Sequence, residues 1–207
     1  MSVTLRLMSL DDVGDVSVLE QDLFGVEAWS PQMLASEVTA EPGSRYYLVA
    51  DDGGVITGYG GLLAQAGGQA EVLTLAVAAG RWGEGIGSAL LEGLLAEAGR
   101  RGCTEIFLEV RVDNDRAQRL YQRRGFTGIG IRRGYYQPSN TDALVMRLVT
   151  AAPEGRGRRR GKRRTARTQT RDTTDLGSAN HDKPGAGTTT SHDKSADAAD
   201  RTPGEAM

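Results

Sequence analysis

A glycine-rich turn near the middle of the 207-residue chain joins an almost wholly apolar strand to an amphipathic helix. The strand spans residues 73–77, the turn spans residues 81–87, and a second apolar strand follows the helix at residues 106–110. Two strands joined through a helix in this way pair in parallel, and the crossover between them is right-handed. This unit predicts an α/β fold in which helices pack on the faces of a sheet.

The segments on either side of this unit predict the rest of the sheet. An alternating N-terminal strand is followed by two helices, the second beginning at Ser30-Pro31, and two antiparallel strands then meet at a turn over residues 51–54. Alternation along the strand at residues 69–78 predicts that four side chains share one face: Glu71, Leu73, Leu75 and Val77. The predicted order is β-α-α-β-β-β-α-β-α-β-β, which gives a mixed central β-sheet flanked by helices.

The last quarter of the chain differs in composition from the rest. Residues 1–150 carry 13 arginines, no lysine and 19 acids, whereas residues 151–207 carry 12 basic and 8 acidic side chains and almost no large aliphatic residue. Such a segment buries too little apolar surface to offset the entropy lost on ordering. We expect residues 1–150 to form one domain and residues 151–207 to form a disordered tail that is basic over residues 156–171.

The residue types missing from the predicted domain argue against several chemistries. The only two histidines of the chain, His181 and His192, lie in the tail, and Cys103 is the single cysteine. Hydrolases with a Ser-His-Asp or Cys-His site need a histidine, and zinc sites usually need clustered histidine or cysteine. We therefore expect no metal site, and a general base that is a carboxylate, a tyrosine or a water. The acidic charge of the domain also argues against nucleic acid as its main ligand.

The glycine turn is suited to binding a phosphate without a lysine. Gly83, Gly85 and Gly87 let bare backbone approach a ligand, and the N-terminus of the following helix offers free N–H groups and a positive dipole. The turn lacks the Gly-Lys-Ser/Thr of a P-loop, and its strictly alternating glycines do not match a dinucleotide fingerprint. The alternative is that this turn has only a structural role and binds no phosphate.

A single acid interrupts the apolar strand at residues 106–110. Glu109 lies either on a solvated face or in a cleft, where a partly buried carboxylate can accept protons near neutral pH. Tyr121 follows it in a helix that residues 113–115 cap, and simple packing is the alternative to a catalytic role for this tyrosine.

Together these segments resemble the GNAT superfamily of N-acetyltransferases over residues 3–149. The glycine turn resembles the acetyl-CoA loop of that superfamily, and the next motif is matched by Asn114, Ala117, Leu120-Tyr121 and Gly125-Phe126. A narrower resemblance, to bacterial ribosomal-protein-alanine N-acetyltransferases, rests on further segments: Trp29-Ser30, Leu-Glu-Val-Arg at residues 108–111, and Arg-Arg-Gly-Tyr-Tyr at residues 132–136.

The resemblance implies direct acetyl transfer from acetyl-CoA, with Glu109 as the proton acceptor, Tyr121 as the proton donor and no metal. It places the cofactor contacts on a strand end, the glycine turn and a helix cap: Leu75, Ala76, Val77, Gly83, Glu84, Gly85, Ile86, Gly87, Ser88 and Asn114. Trp82 and Glu84 depart from the family loop. Glu84 is expected to weaken attraction for the pyrophosphate of the cofactor unless Arg81 offsets its charge.

The implied acceptor is the N-terminal alanine of a ribosomal protein, in that family small-subunit protein eighteen. Trp29, Tyr135 and Tyr136 would then line a groove for an extended peptide, although packing beneath a loop is an equal alternative for these aromatic residues. A lysine or small-molecule amine as acceptor, and a non-catalytic acetyl-CoA-binding module, also stay open.

The remaining expectations concern the surroundings of the protein. The basic segment at residues 156–171 is either a weak contact for ribosomal RNA or a solvated extension. The N-terminus lacks the pattern of a signal peptide, and no segment reaches the roughly 18–20 apolar residues of a membrane span. We therefore expect a cytoplasmic protein with no membrane partner.

Overall fold

A seven-stranded sheet runs through the computed structural model, which describes residues 3–40 and 43–150. The strand order is β1-β2-β3-β4-β5-β7-β6, and only β4 and β5 pair in parallel. The strands are β1 (Thr4–Leu7), β2 (Arg45–Asp51), β3 (Ile56–Ala64), β4 (Gln69–Val77), β5 (Glu105–Arg111), β6 (Thr127–Tyr136) and β7 (Thr141–Val149). The predicted tail, with its basic segment, lies outside the described residues.

Four helices cover the two faces of this sheet. They are α1 (Val13–Phe24), α2 (Pro31–Thr39), α3 (Ile86–Arg100) and α4 (Asp115–Arg123). One apolar cluster packs α3 and α4 against the sheet, and a second packs α1 and α2 against it. The predicted mixed sheet flanked by helices is therefore confirmed. Within the described part of the chain, no helix combines the length and the apolar character needed to span a membrane.

The helix starts follow the local sequence. Ser30 precedes α2 and its hydroxyl accepts a hydrogen bond from the Met33 amide at 3.2 Å, with Pro31 as the first helical residue. Asn114 precedes α4 and its side-chain oxygen accepts from the Ala117 amide at 3.1 Å. These side chains satisfy amides that the first helical turn leaves unpaired.

A β-bulge in β4 changes which side chains share a face. Thr74 lies opposite Gly61 and Val72 lies opposite Leu62, so that Leu73 is the extra residue. Beyond the bulge, Leu75 and Val77 pack with the cluster under α3, while Leu73 packs with the cluster under α1. The prediction that Glu71, Leu73, Leu75 and Val77 share one face is therefore wrong, because the bulge shifts the alternation by one residue.

The two parallel strands separate just beyond this bulge. Their pairing begins at Gln69 opposite Glu105 and ends at Val72 opposite Leu108. Past that point β4 continues against β3, and β5 continues against β7. A gap therefore opens between residues 73–77 and 109–111, and we call this gap the fork.

Candidate active site

The edge of β4 that faces the fork has no strand partner beyond Val72. The Ala78 amide donates to the Thr57 carbonyl of the neighbouring chain segment at 2.9 Å. Because backbone groups alternate along a strand, those of Val77 point to the opposite side, into the fork. The Val77 carbonyl accepts a hydrogen bond there from the Trp82 indole at 2.8 Å. The fork thus offers N–H and C=O groups to a molecule inserted between β4 and β5.

The glycine turn lies at the end of β4 and leads into α3. Gly83 and Gly85 adopt φ values of 89° and 86°, which side chains rarely tolerate, and no atom lies within 4 Å of where a Cβ would stand on either residue. The first amides of α3 are free of helical partners. This open, amide-rich turn has the features of a site for a phosphate group. Ile86 is buried in the core, so only its backbone is available to a ligand.

Glu84 forms an ion pair with Arg81 within the turn itself. The Arg81 guanidinium contacts both Glu84 carboxylate oxygens, at 2.9 and 3.0 Å, and also contacts Asp52 at 2.9 Å. Next to it, the Arg116 guanidinium from α4 stacks 3.7 Å above the Trp82 ring. Arg81 therefore contacts Glu84, as the expected compensation requires, but it also contacts the carboxylate of Asp52.

Glu109 lies on β5 at the fork, with its side chain only 14% exposed. Its carboxylate forms an ion pair with Arg132 of β6 at 3.0 Å, and its backbone carbonyl accepts from the Tyr136 hydroxyl at 3.3 Å. Glu71 of β4 lies on the same face of the sheet, opposite Phe107 and thus one strand away from Glu109. Burial first, and the nearby Glu109 second, raise the pKa of Glu71.

Tyr121 is buried in α4, where its ring meets the edge of Phe126 at a centroid distance of 5.9 Å. Burial raises the pKa of the Tyr121 hydroxyl above its usual value, so this phenol keeps its proton at neutral pH. The side chain therefore packs in the core and also retains a proton that it can donate.

Two of the three predicted substrate residues lie together. Tyr135 and Tyr136 form an edge-to-face pair 5.1 Å apart at the end of β6, with Arg132 above Tyr135 at 4.5 Å. Burial raises the pKa of both tyrosines. Trp29, by contrast, packs against the cluster beneath α1 and α2.

A polar bridge that was not predicted from the sequence lies at the far end of β5. Arg111 contacts Glu27, just before α2, at 2.9 Å, and contacts the Ser139 hydroxyl, between β6 and β7, at 3.2 Å. Arg111 belongs to the motif at residues 108–111. Its partners are distant in sequence, so the motif does not indicate them.

An open depression of about 520 Å³ lies beside this bridge. Its lining comes from the end of α1, the end of β5 and the start of α4: Leu23, Phe24, Arg111, Asp113, Asn114, Asp115, Arg116 and Arg119. Asn114, a predicted cofactor contact, therefore lines this open depression at the start of α4. Among residues 3–40 and 43–150, no group of three or more histidine, cysteine or acidic side chains is placed to hold a metal ion.

Comparison with known proteins agrees with this architecture. The model of the acetyltransferase (GNAT) family matches residues 15–126. The N-alpha-acetyltransferase RimI of Mycobacterium tuberculosis is 38% identical over 156 residues, which cover 73% of this chain and 95% of that protein.

Solved structures give the same result. The ribosomal-protein-alanine N-acetyltransferase of Escherichia coli superposes with a TM-score of 0.66 at 27% identity, covering 74% of this chain and 98% of that one. The PaiA N-acetyltransferase of Thermoplasma acidophilum, solved with coenzyme A, shares the fold with a TM-score of 0.60 at 19% identity, covering 72% and 99%.

The chain therefore belongs to the GNAT family and is an acetyltransferase. Its relatives include the ribosomal-protein-alanine N-acetyltransferases, as the narrower resemblance predicted.

Proposed function

We propose that this enzyme transfers the acetyl group of acetyl-CoA to the N-terminal α-amine of a peptide that begins with alanine. The observation that carries the proposal is the placement of Glu109, a mostly buried carboxylate at the fork, beside the paired rings of Tyr135 and Tyr136. A carboxylate there can take a proton from an ammonium group, and the aromatic pair can contact an extended peptide. Similarity to the Escherichia coli enzyme supports a ribosomal protein, small-subunit protein eighteen, as the acceptor.

Acetyl-CoA supplies the acetyl thioester, and the residues proposed to hold it lie along one path. Backbone groups of residues 75–77 take the pantetheine arm, because the edge of β4 is unpaired at the fork. Amides of residues 83–88 take the pyrophosphate. Asn114 keeps its side-chain N–H₂ free to donate, because only its oxygen is engaged in capping α4.

The proton steps follow from the acceptor chemistry. An α-amine has a pKa near 8, so much of it is protonated at neutral pH and cannot attack a carbonyl. Glu109 takes a proton from the ammonium, through water, and the free amine forms the new C–N bond. A backbone N–H near Val77 stabilises the negative charge that develops on the acetyl oxygen.

Tyr121 completes the transfer. As the C–S bond breaks, its hydroxyl gives a proton to the departing sulfur, and the nitrogen of the new amide loses its second proton to solvent. The buried phenol still holds its proton at neutral pH, which a proton donor requires. No covalent bond to the enzyme is needed, and the buried Cys103 takes no part.

A panel of acceptors tests the proposal. We expect turnover of acetyl-CoA with a short peptide that begins with alanine, and at least about tenfold lower kcat/KM for the same peptide with its N-terminus blocked, for a lysine peptide and for polyamines. A preference for lysine or a polyamine would assign the enzyme to the alternative acceptor class. Binding of coenzyme A without turnover of any amine would support a non-catalytic module.

A further inference from the structure

Two acids, and not one, interrupt the strands that form the fork. Glu71 on β4 lies opposite Phe107 on β5, and Glu109 lies two residues beyond Phe107 on the same face. The last paired residues, Val72 and Leu108, follow directly. Both carboxyl groups therefore lie where the two strands separate, at the closed end of the fork.

The two carboxyl groups lie on the same face of neighbouring strands, and few cations contact them. Arg132 of β6 contacts Glu109 at 3.0 Å, and Arg45 of β2, which acts more weakly on Glu71, is itself paired with Glu37 of α2 at 2.6 Å. The other titratable groups that face the pair are the phenols of Tyr135 and Tyr136 on β6.

Two partly buried carboxyl groups that lie close together favour a state in which one of them carries a proton. Because like charges repel strongly when partly buried, such pairs lose their protons in two separated steps. The guanidinium contact with Glu109 favours the negative charge on that residue, so the shared proton resides on Glu71. The raised pKa of Glu71 is consistent with this distribution.

We propose that Glu71 and Glu109 act together as the proton acceptor for the amine, with Glu71 as a positioning residue that acts through Glu109. The inference rests on the proposed function only in requiring an amine as acceptor. It adds a residue on β4 to the proton chemistry, and it explains why a second acid stands in an otherwise apolar strand.

The proton transfer balances within the pair. The positive charge of the approaching ammonium group offsets a second negative charge, so the proton on Glu71 leaves to solvent and both carboxyl groups become ionised. One N–H bond then breaks, an O–H bond forms on Glu109, and the proton moves on to Glu71. Glu109 thereby recovers its negative charge and its ion pair with Arg132, and the proton leaves to solvent after turnover.

Glu71→Gln tests the proposal, because the glutamine side chain keeps the size of the glutamate but accepts no proton. We expect kcat to fall about tenfold or more. We also expect the acid-side midpoint of the pH–rate profile to move to lower pH, since the raised pKa of Glu71 no longer contributes. Glu71→Asp should restore part of the rate. Glu105→Gln, a change at a partly exposed carboxyl group on the neighbouring strand β5, is the control and should leave both quantities unchanged.

Thermal unfolding separates this role from a purely structural one. A carboxyl group with a raised pKa in the folded state stabilises the fold below its unfolded pKa, and this contribution is lost as pH rises through the folded pKa. Glu71→Gln should therefore match or exceed the parent protein in Tm at pH 8 while losing activity. A lower Tm together with an unshifted pH–rate profile would overturn the proposal.

Titration of ¹³C-labelled glutamate by NMR gives a second test that needs no acceptor. We expect one carboxyl signal to titrate above the usual glutamate range and to disappear in Glu71→Gln. If every glutamate titrated in the usual range, the proposal would fail. The pH–rate profile itself is measured with whichever amine the acceptor panel identifies, so failure of the peptide assignment and failure of the carboxyl pair give different results.

Discussion

At the scale of single residues, Glu109 and Tyr121 carry the proposed proton transfers. General acid and base groups typically contribute factors of about 10²–10⁴ to a rate. We expect Glu109→Gln to lower kcat/KM by about 10²-fold or more, with Glu105→Gln on the same strand as the control. Steady-state assays with acetyl-CoA and an alanine-starting peptide measure the change. A loss of less than about threefold would remove Glu109 from the mechanism.

Tyr121→Phe removes one hydroxyl group and keeps the ring that packs against Phe126. We expect a loss in kcat of about 10²-fold with little change in the urea midpoint of unfolding, because the apolar contacts survive. Tyr46→Phe, on β2 beneath the arginines of α3, serves as the control and should keep the parental kcat. A parental kcat for Tyr121→Phe would show that another group protonates the sulfur.

Glu84 affects the affinity for the cofactor. In the free enzyme its carboxylate occupies Arg81. Glu84→Gln removes a negative charge beside the glycine turn and releases that guanidinium, so we expect the KM for acetyl-CoA to fall about threefold at low salt and by less at high salt. Glu92→Gln, an exposed change farther along α3, is the control. A higher KM in Glu84→Gln would mean that the ion pair orders the turn.

At the scale of elements, the glycine turn depends on backbone conformation. Gly85 has a φ of 86°, and an alanine there would meet no atom within 4 Å, so the expected effect is conformational strain and not collision. We expect Gly85→Ala to cost about 1–2 kcal/mol of stability and to raise the KM for acetyl-CoA. Urea unfolding and initial rates measure these effects. Gly80→Ala, where φ is not positive, should change neither quantity.

The sequence predicted the order of the elements well because the signals for them are local. The cap at Ser30 and the turn at residues 51–54 each depend on a few neighbouring residues. The bulge at Leu73 escaped prediction because it is set by pairing with β3, which strand periodicity does not contain. Its consequence, the separation of β4 from β5, was not predicted from the sequence.

Some contacts of the candidate site likewise could not be predicted from the sequence. The sequence points to Glu109 because this acid interrupts an apolar strand. Glu71 meets the same criterion, but it was considered only as one of four side chains that share a face of their strand. Pairing of the two acids requires the register between β4 and β5. The bridge from Arg111 to Glu27 joins residues 84 positions apart and leaves no local pattern.

At the scale of the whole molecule, the last strand of the described sheet ends before the C-terminal segment begins. β7 ends at Val149, and the Thr150 amide donates to the Thr104 carbonyl at 2.8 Å. We expect a chain that stops after Thr150 to keep its turnover of free peptide within about twofold, since both core clusters and the fork are retained. A large loss of turnover would show that the tail takes part in catalysis.

The same truncation tests whether the basic segment at residues 156–171 contacts RNA. If it does, the full-length protein should bind ribosomal RNA with an affinity that falls steeply with salt, and the truncated protein should not. Equal binding by both proteins would favour the solvated extension.

The position of the acetyl group on a peptide that offers two amines tests the central claim most directly. The peptide begins with alanine and carries one internal lysine, and tandem mass spectrometry locates the acetyl group after reaction with acetyl-CoA. We predict acetylation of the N-terminal α-amine, with the lysine unmodified while most of the peptide reacts. Acetylation that falls mainly on the lysine would contradict the account.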